Sequence, residues 1–195
     1  MKSRQFLHSL FKKDGLSPTE LQILVPSFRA VQLEKGDYLL KEGEYAKAYY
    51  FVEQGFLRSF AIDTAGNEVT TNFYAAGQMV LDAASFLLQQ PTREFIQASE
   101  SSLCWALDFG RFQELFDSID TFRNSGRSRL VQDLLALKQR SIAMITDSAK
   151  DRYLGLLANQ PDILQQAQLK HIASYLGVTD TSLSRVRREI SKGQG

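Results

Sequence analysis

Residues 168–189 read QLKHIASYLGVTDTSLSRVRRE. Ile172, Ala173 and Leu176 recur at helical spacing and mark one apolar face. Gly177 follows, where the chain must leave that helix through a positive φ that glycine adopts at little cost. Thr179 then offers a hydroxyl to cap a second helix, whose apolar side is Leu183, Val186 and Ile190. Two helices joined by so short a turn cross closely. Ala173, four residues before the glycine, leaves room for the crossing. The pattern is a complete helix-turn-helix.

The outer side of the second helix carries Asp180, Thr181, Ser184, Arg185 and Arg188. In this motif the N-terminal part of the second helix enters the DNA major groove. Arg can pair bidentately with guanine, and Asp can accept from cytosine. Lys170, His171, Thr179 and Ser182 are placed for phosphates. Between residues 169 and 192 stand Lys170, Arg185, Arg187, Arg188 and Lys192 against Asp180 and Glu189, a local excess of three positive charges. The plainer alternative is a helical hairpin used only for packing. The alanine, the glycine, the cap and the basic outer face together argue against it. The expected partner is double-stranded DNA.

Toward the N-terminus lies a long helical segment. Leu130, Leu134, Leu137, Ser141 and Met144 follow the 4-3-4-3 spacing of a coiled-coil seam. Val131, Leu135, Ile142 and Ile145 make a second stripe. A helix apolar on two faces must bury both, so one face is expected on its own chain and the other on a second copy. Gly126 weakens the helix, which is expected to begin or bend there. After it, Tyr153, Leu154, Leu156 and Leu157 form a further apolar stripe, interrupted at Pro161-Asp162.

From about residue 30 to 108 the character differs. Short runs rich in Val, Tyr, Phe, Thr and Ile (38–40, 48–52, 56–62, 68–74, 95–98 and 103–107) are separated by turn signals at Gly36, Gly43, Gly55, Gly66 and Gly77. Regularly spaced short strands predict an all-β barrel or sandwich. Ala83 to Gln89 reads as one short helical insert. Residues 5–28 read as a helical lead-in, with a capping box at Ser17-Pro18-Thr19-Glu20 ahead of Leu21, Leu24 and Val25.

Composition narrows the function. The 195 residues carry a formal net charge of +1, so any DNA contact must come from a local patch. Cys104 is the one cysteine, read as a small buried hydrophobe in a reducing, cytoplasmic setting. With only His8 and His171, imidazole-rich metal sites are not expected. The N-terminus lacks the apolar run of a signal peptide, and no segment reaches the length of a membrane span.

Taken in order, these parts resemble the Crp/Fnr family of regulators across essentially the whole chain. The N-terminal signature is Gly36-Asp37-Tyr38-Leu39, then Glu42-Gly43-Glu44, Tyr50, Gly55 and Arg58. The C-terminal signature is Gly177-Val178-Thr179 followed by Leu183-Ser184-Arg185. The resemblance implies an α+β chain: a cyclic-nucleotide-binding-type β-roll domain with its N-terminal helical lead-in over 1–118, a dimerisation helix over 119–146 and a winged helix-turn-helix over 147–195. It also implies a homodimer on a near-palindromic operator, and it allows contact with RNA polymerase.

Members that bind cyclic AMP carry a Gly-Glu pair, a short helix and an Arg-Ser pair. Here the matching positions are Leu81, Asp82, Ala83 and Ala84, then Thr92 and Arg93. Leu81 crowds the backbone, Asp82 is short for the ribose, and Thr92 stands where the Arg is expected. Arg93 comes one residue late, and Glu94 beside it offsets its charge. Tight cyclic AMP binding is therefore not expected, and no cofactor is assigned. A ligand-gated alternative would recruit Arg93 for the phosphate. An iron–sulfur sensor would need several cysteines, and a haem sensor an axial ligand, yet both histidines lie outside the roll. A cupin-like enzyme would need histidines on the strands. Asp180 and Thr181 replace the Arg and Glu of the cyclic AMP-responsive members, so an operator other than TGTGA is expected.

Overall fold

The computed structural model describes residues 4–192. The lead-in is two helices, α1 (Gln5–Lys13) and α2 (Pro18–Leu24), followed by a 3-10 turn at Val25–Ser27. The capping box forms as read: Ser17 Oγ accepts from the Glu20 N–H, and the Glu20 carboxylate accepts from the Ser17 N–H at 2.7 Å.

Eight strands follow: β1 (Arg29–Leu33), β2 (Tyr38–Leu40), β3 (Ala48–Gln54), β4 (Leu57–Ile62), β5 (Glu68–Tyr74), β6 (Met79–Val80), β7 (Phe95–Ala98) and β8 (Ser102–Asp108). They form two antiparallel four-stranded sheets, in the orders β1-β8-β3-β6 and β2-β7-β4-β5. The last strand thus lies between β1 and β3, pairing Val31 with Cys104 and Phe51 with Trp105. This is the β-roll. Two strands lie outside the sequence reading. β1 buries only Leu33, so it lacks an apolar signal, and β6 has two residues. Between β6 and β7 sits α3 (Ala83–Leu88).

The core runs from the inside of the roll, where Leu40, Leu57 and Ile96 of one sheet belong to the same buried cluster as Val52 and Cys104 of the other, to the space between the β1-β8-β3-β6 sheet and the helices. Phe11 packs edge-on against Phe51 and Phe122, and Phe28 against Tyr49. Cys104 is fully buried in β8, and burial pushes its thiol pKa up to about 12, so it packs as a hydrophobe.

The β3–β4 turn depends on one glycine. Gly55 has φ +95°, and a Cβ there would lie 2.6 Å from the Ser102 Cα, which is backbone and cannot give. Gly55→Ala is expected to cost about 2–4 kcal/mol through the left-handed backbone and the clash together. At this size that lowers the melting temperature by roughly 5–15 °C, readable by circular dichroism.

Helix α4 (Phe109–Ser118) leads into α5 (Asp120–Thr146). The expectation that the helix begins at Gly126 is corrected: α5 runs through it from Asp120. Phe122, buried against Phe11 and Phe112, anchors the first turn and sets the boundary. A second correction concerns the two apolar stripes of α5. Neither packs on its own chain along the middle of the helix. Val131, Leu134, Leu135, Leu137, Ile142, Met144 and Ile145 are all exposed, Leu137 at 61%.

The C-terminal unit is helical: α6 (Ala149–Asn159), α7 (Pro161–Gln166), α8 (Leu169–Tyr175) and α9 (Asp180–Lys192). Pro161 opens α7 rather than merely interrupting a helix. Among the described residues no strand follows β8, so the expected wing is not seen. The chain ahead of α8 goes into α6 and α7.

Candidate nucleic-acid interface and effector pocket

Helices α8 and α9 are the pair read from residues 168–189. Ala173 is fully buried at their crossing, and Gly177 turns with φ +66°. The Val178 N–H donates to the Ala173 carbonyl at 3.0 Å, closing the end of α8. A Cβ at Gly177 would run into the Met144 side chain at the end of α5. Thr179 Oγ accepts from the Ser182 N–H at 3.2 Å, which caps α9. Leu183 and Val186 bury against Ile172 and Leu176, over Tyr153, Leu156 and Ile163.

The opposite side of α9 is open. Asp180, Thr181, Ser182, Ser184, Arg185, Arg187 and Arg188 are exposed, as are Lys170 and Thr179. Among the described residues Arg185 and Arg188 enter no ion pair, so their guanidinium groups are not committed within the chain. A row of uncommitted Arg beside short hydroxyls on a capped helix can read base edges and phosphates.

His171 has a different setting. Its side chain is 14% exposed, with Nε2 4.0 Å from the Glu68 carboxylate on β5. Glu68 also receives Arg58 Nη2 at 2.5 Å. Arg58 is itself buried, with its guanidinium 4.2 Å over the Phe60 ring. The whole of α8 docks on β5. Ser174 Oγ accepts from the Thr70 N–H at 2.9 Å and donates to the Glu68 carbonyl, and Tyr175 lies 5.2 Å from Phe73. From α5, Arg140 donates to the Thr71 carbonyl at 2.7 Å and to the Tyr175 carbonyl at 3.0 Å, and covers the Tyr175 ring at 3.9 Å. One side chain thereby joins roll, long helix and helix-turn-helix. Sequence reading passed over Arg140, Ser174 and Tyr175, because nothing local marks them.

Burial holds the His171 pKa down to about 4, with Arg58 and Lys170 adding to the shift against Glu68. The folded imidazole is neutral, whereas the unfolded one protonates below about 6.5. Stability is therefore whole above pH 6.5 and falls progressively as pH drops toward 4, with no further loss below. After allowance for partial exposure the loss is about 1 kcal/mol. Melts at pH 7 and pH 5 test this: His171→Gln is expected to shrink the drop between them.

The cassette region is closed upon itself. Asp82 Oδ1 accepts from the Ser85 N–H at 3.0 Å and caps α3, while Oδ2 accepts from the Thr92 hydroxyl at 2.5 Å. Thr92 is buried, and its backbone pairs with Gly43 and Glu44. Ser85 Oγ accepts from the Ala46 N–H at 2.8 Å. Ala83, Ala84 and Arg93 are exposed, and Leu81 is half-buried. Glu94 is partly buried, and desolvation, with Asp82 nearby, raises its carboxyl pKa. The cavity beside Asp82, lined by Leu40, Ala46, Tyr50 and Leu81, measures about 10 Å³. That is space for about one water.

A β-roll followed by a long helix and an exposed basic helix-turn-helix defines a class, the transcription regulators with an effector-type domain. Comparison with known proteins bears on the class directly. Residues 30–118 match the cyclic nucleotide-binding domain family. The Fumarate and nitrate reduction regulatory protein of Yersinia pestis is 26% identical over 181 residues, covering 84% of this chain and 69% of that protein. The solved structure of FixK2 from Bradyrhizobium japonicum superposes with a TM-score of 0.75 at 16% identity, over 86% of each chain. The catabolite activator protein of Thermus thermophilus does so at 0.59 and 19% identity, over 92% of this chain and 86% of that one. The chain thus carries a cyclic nucleotide-binding-type domain and is similar over most of its length to transcription regulators of the Crp/Fnr type. Among the described residues no helix is long and apolar enough to cross a membrane.

Proposed function

We propose that the protein is a cytoplasmic homodimeric regulator that grips a near-palindromic DNA operator and does not respond to cyclic AMP. The observation that carries the reading is the outer face of α9, where Arg185 and Arg188 stand exposed and uncommitted beside Asp180, Thr181 and Ser184. Lys170, Thr179 and Ser182 flank that face for the phosphates. His171 turns toward Glu68 in the docked arrangement and acts in holding α8 on the roll.

The roll and lead-in (1–118), the dimerisation segment (119–146) and the C-terminal unit (147–195) then divide the work. The seam of Leu130, Leu134, Leu137, Ser141 and Met144, with the second exposed stripe beside it, meets its equivalent in a second copy. Two recognition helices must sit about 34 Å apart to enter successive major grooves. The long helix sets that distance.

The silence toward cyclic AMP rests on the closed Asp82–Thr92 pair and on Arg93 lying outside it. Selection of bound duplexes from a random pool, followed by anisotropy with the winner, is expected to yield an inverted repeat other than TGTGA. Calorimetry with 1 mM cyclic AMP is expected to show no binding heat. Recovery of TGTGA, or a dissociation constant near 10 μM, about −7 kcal/mol, overturns the respective half of the reading.

A further inference from the structure

Beside its apolar seam, α5 carries charges whose places follow from the same spacing. Leu130, Leu137 and Met144 fall on one line of the repeat, and Leu134 and Ser141 on the other. In heptad terms these are the d and a positions. The g positions on one flank are then Gly126, Asp133 and Arg140, and the e positions on the other are Val131, Lys138 and Ile145.

Arg140 is committed within its own chain, to the Thr71 and Tyr175 carbonyls and the Tyr175 ring. Asp133 and Lys138 have no such commitment. Both are exposed, and among the described residues neither enters an ion pair. Asp133 feels Arg129 one turn away, but that guanidinium donates to Asp14 at 2.6 Å. Desolvation still raises the Asp133 carboxyl pKa, so this carboxylate gains from a further positive charge.

The relative direction of two α5 helices decides whether it meets one. Where such helices run parallel and in register, each g residue lies across from the next e residue of the partner. Asp133 then faces the partner's Lys138, and two-fold symmetry makes the contact twice. Antiparallel helices set g against g and e against e. With Leu134 packed on the partner's Leu137, Asp133 would face the partner's Arg140, already engaged, and Lys138 would face the partner's Val131. Only the parallel arrangement matches free charge with free charge. It also keeps both helix-turn-helix units at one end of the coil, whereas the antiparallel one separates them by the 27 residues of α5, about 40 Å. Arg127, one heptad ahead of Leu134, would bring like charges to the axis, so the contact begins at Leu130.

We propose that two copies join through α5 in parallel and in register, with the Asp133 carboxylate of each paired to the partner's Lys138 ammonium. The pairing presupposes the homodimer proposed above. It selects partner and direction, while the leucines of the seam supply most of the affinity.

Charge reversal tests it in full-length protein. Asp133→Lys alone sets ammonium against ammonium at both contacts, and Lys138→Asp alone sets carboxylate against carboxylate. Each is expected to weaken its own homodimer about tenfold at low salt, read by sedimentation equilibrium. Mixed, one variant supplies ammonium at both positions and the other carboxylate at both. Equal amounts of Asp133→Lys and ¹⁵N-labelled Lys138→Asp protein are expected to give about nine-tenths heterodimer in native mass spectrometry, against about one half for random pairing. Lys138→Asp also gives a reading that needs no second variant: its weakening is expected to shrink below about threefold in 1 M NaCl. Wild-type protein that is monomeric at micromolar concentration overturns the homodimer itself. A wild-type dimer whose variants pair at random, or a Lys138→Asp defect that ignores salt, leaves the homodimer standing and overturns the Asp133–Lys138 pairing.

Discussion

Leu137→Asp is expected to turn the protein into a monomer and to lower its affinity for a two-half-site operator by about 100-fold or more. Leu137 is exposed at mid-helix in the single chain and touches no part of the core, so the substitution leaves the fold of each copy intact. In a two-fold dimer every seam residue appears twice near the axis. The substitution therefore buries two carboxylates without partners, each costing several kcal/mol. With the dimer lost, each recognition helix binds its half-site alone and loses the benefit of the tethered second site. Light scattering at micromolar concentration reports the mass, and anisotropy with one-site and two-site duplexes reports the affinities. The affinity for a single half-site is expected to be unchanged. A dimer that survives Leu137→Asp with its operator affinity whole would move the interface away from this seam.

Arg185→Ala is expected to give the largest loss of sequence discrimination. The side chain lies on the outer face of α9, on the turn after the Thr179 cap, and enters no ion pair within the described chain. A bidentate Arg–guanine contact discriminates by about 1–3 kcal/mol per site, and a dimer loses two of them. Specific affinity should therefore fall by roughly 30- to 1,000-fold or more, while binding to random duplex changes little. Arg188→Ala serves as the contrast. If Arg188 touches phosphate, its loss weakens all duplexes alike and lowers the salt slope by about two, one for each copy in the dimer. Competition between specific and random duplexes at two salt concentrations separates the two roles. An unchanged ratio for Arg185→Ala would place base readout elsewhere on the face, at Asp180, Thr181 or Ser184.

Both predictions stand on features legible in the chain before any coordinates. The helix-turn-helix was readable because its determinants are local: Ala173, Gly177 and Thr179 lie within seven positions. The turn glycines and most strands were readable for the same reason, and so was the capping box at Ser17. Strand β1 was not, since Arg29, Ala30 and Gln32 are exposed and only its pairing with β8 makes it a strand. Gly126 was misread because propensity is worth about 1 kcal/mol per residue, and the buried Phe122 outweighs it.

The sequence by itself determined the order of the parts, the polar and basic outer face of α9, the heptad spacing on α5 and the poor match of Leu81, Asp82 and Thr92 to a nucleotide cassette. Only the tertiary structure decided what those residues do instead. Asp82 caps α3 and accepts from Thr92, ten positions away. Arg140 reaches Thr71 and Tyr175, 69 and 35 positions away, and His171 turns to Glu68 on β5. The physical reason is one of range. Caps, turns and helical periods are set by neighbours a few residues apart and leave a pattern in the sequence. Buried ion pairs, docked helices and cavities depend on which distant surfaces meet, and no local pattern records that.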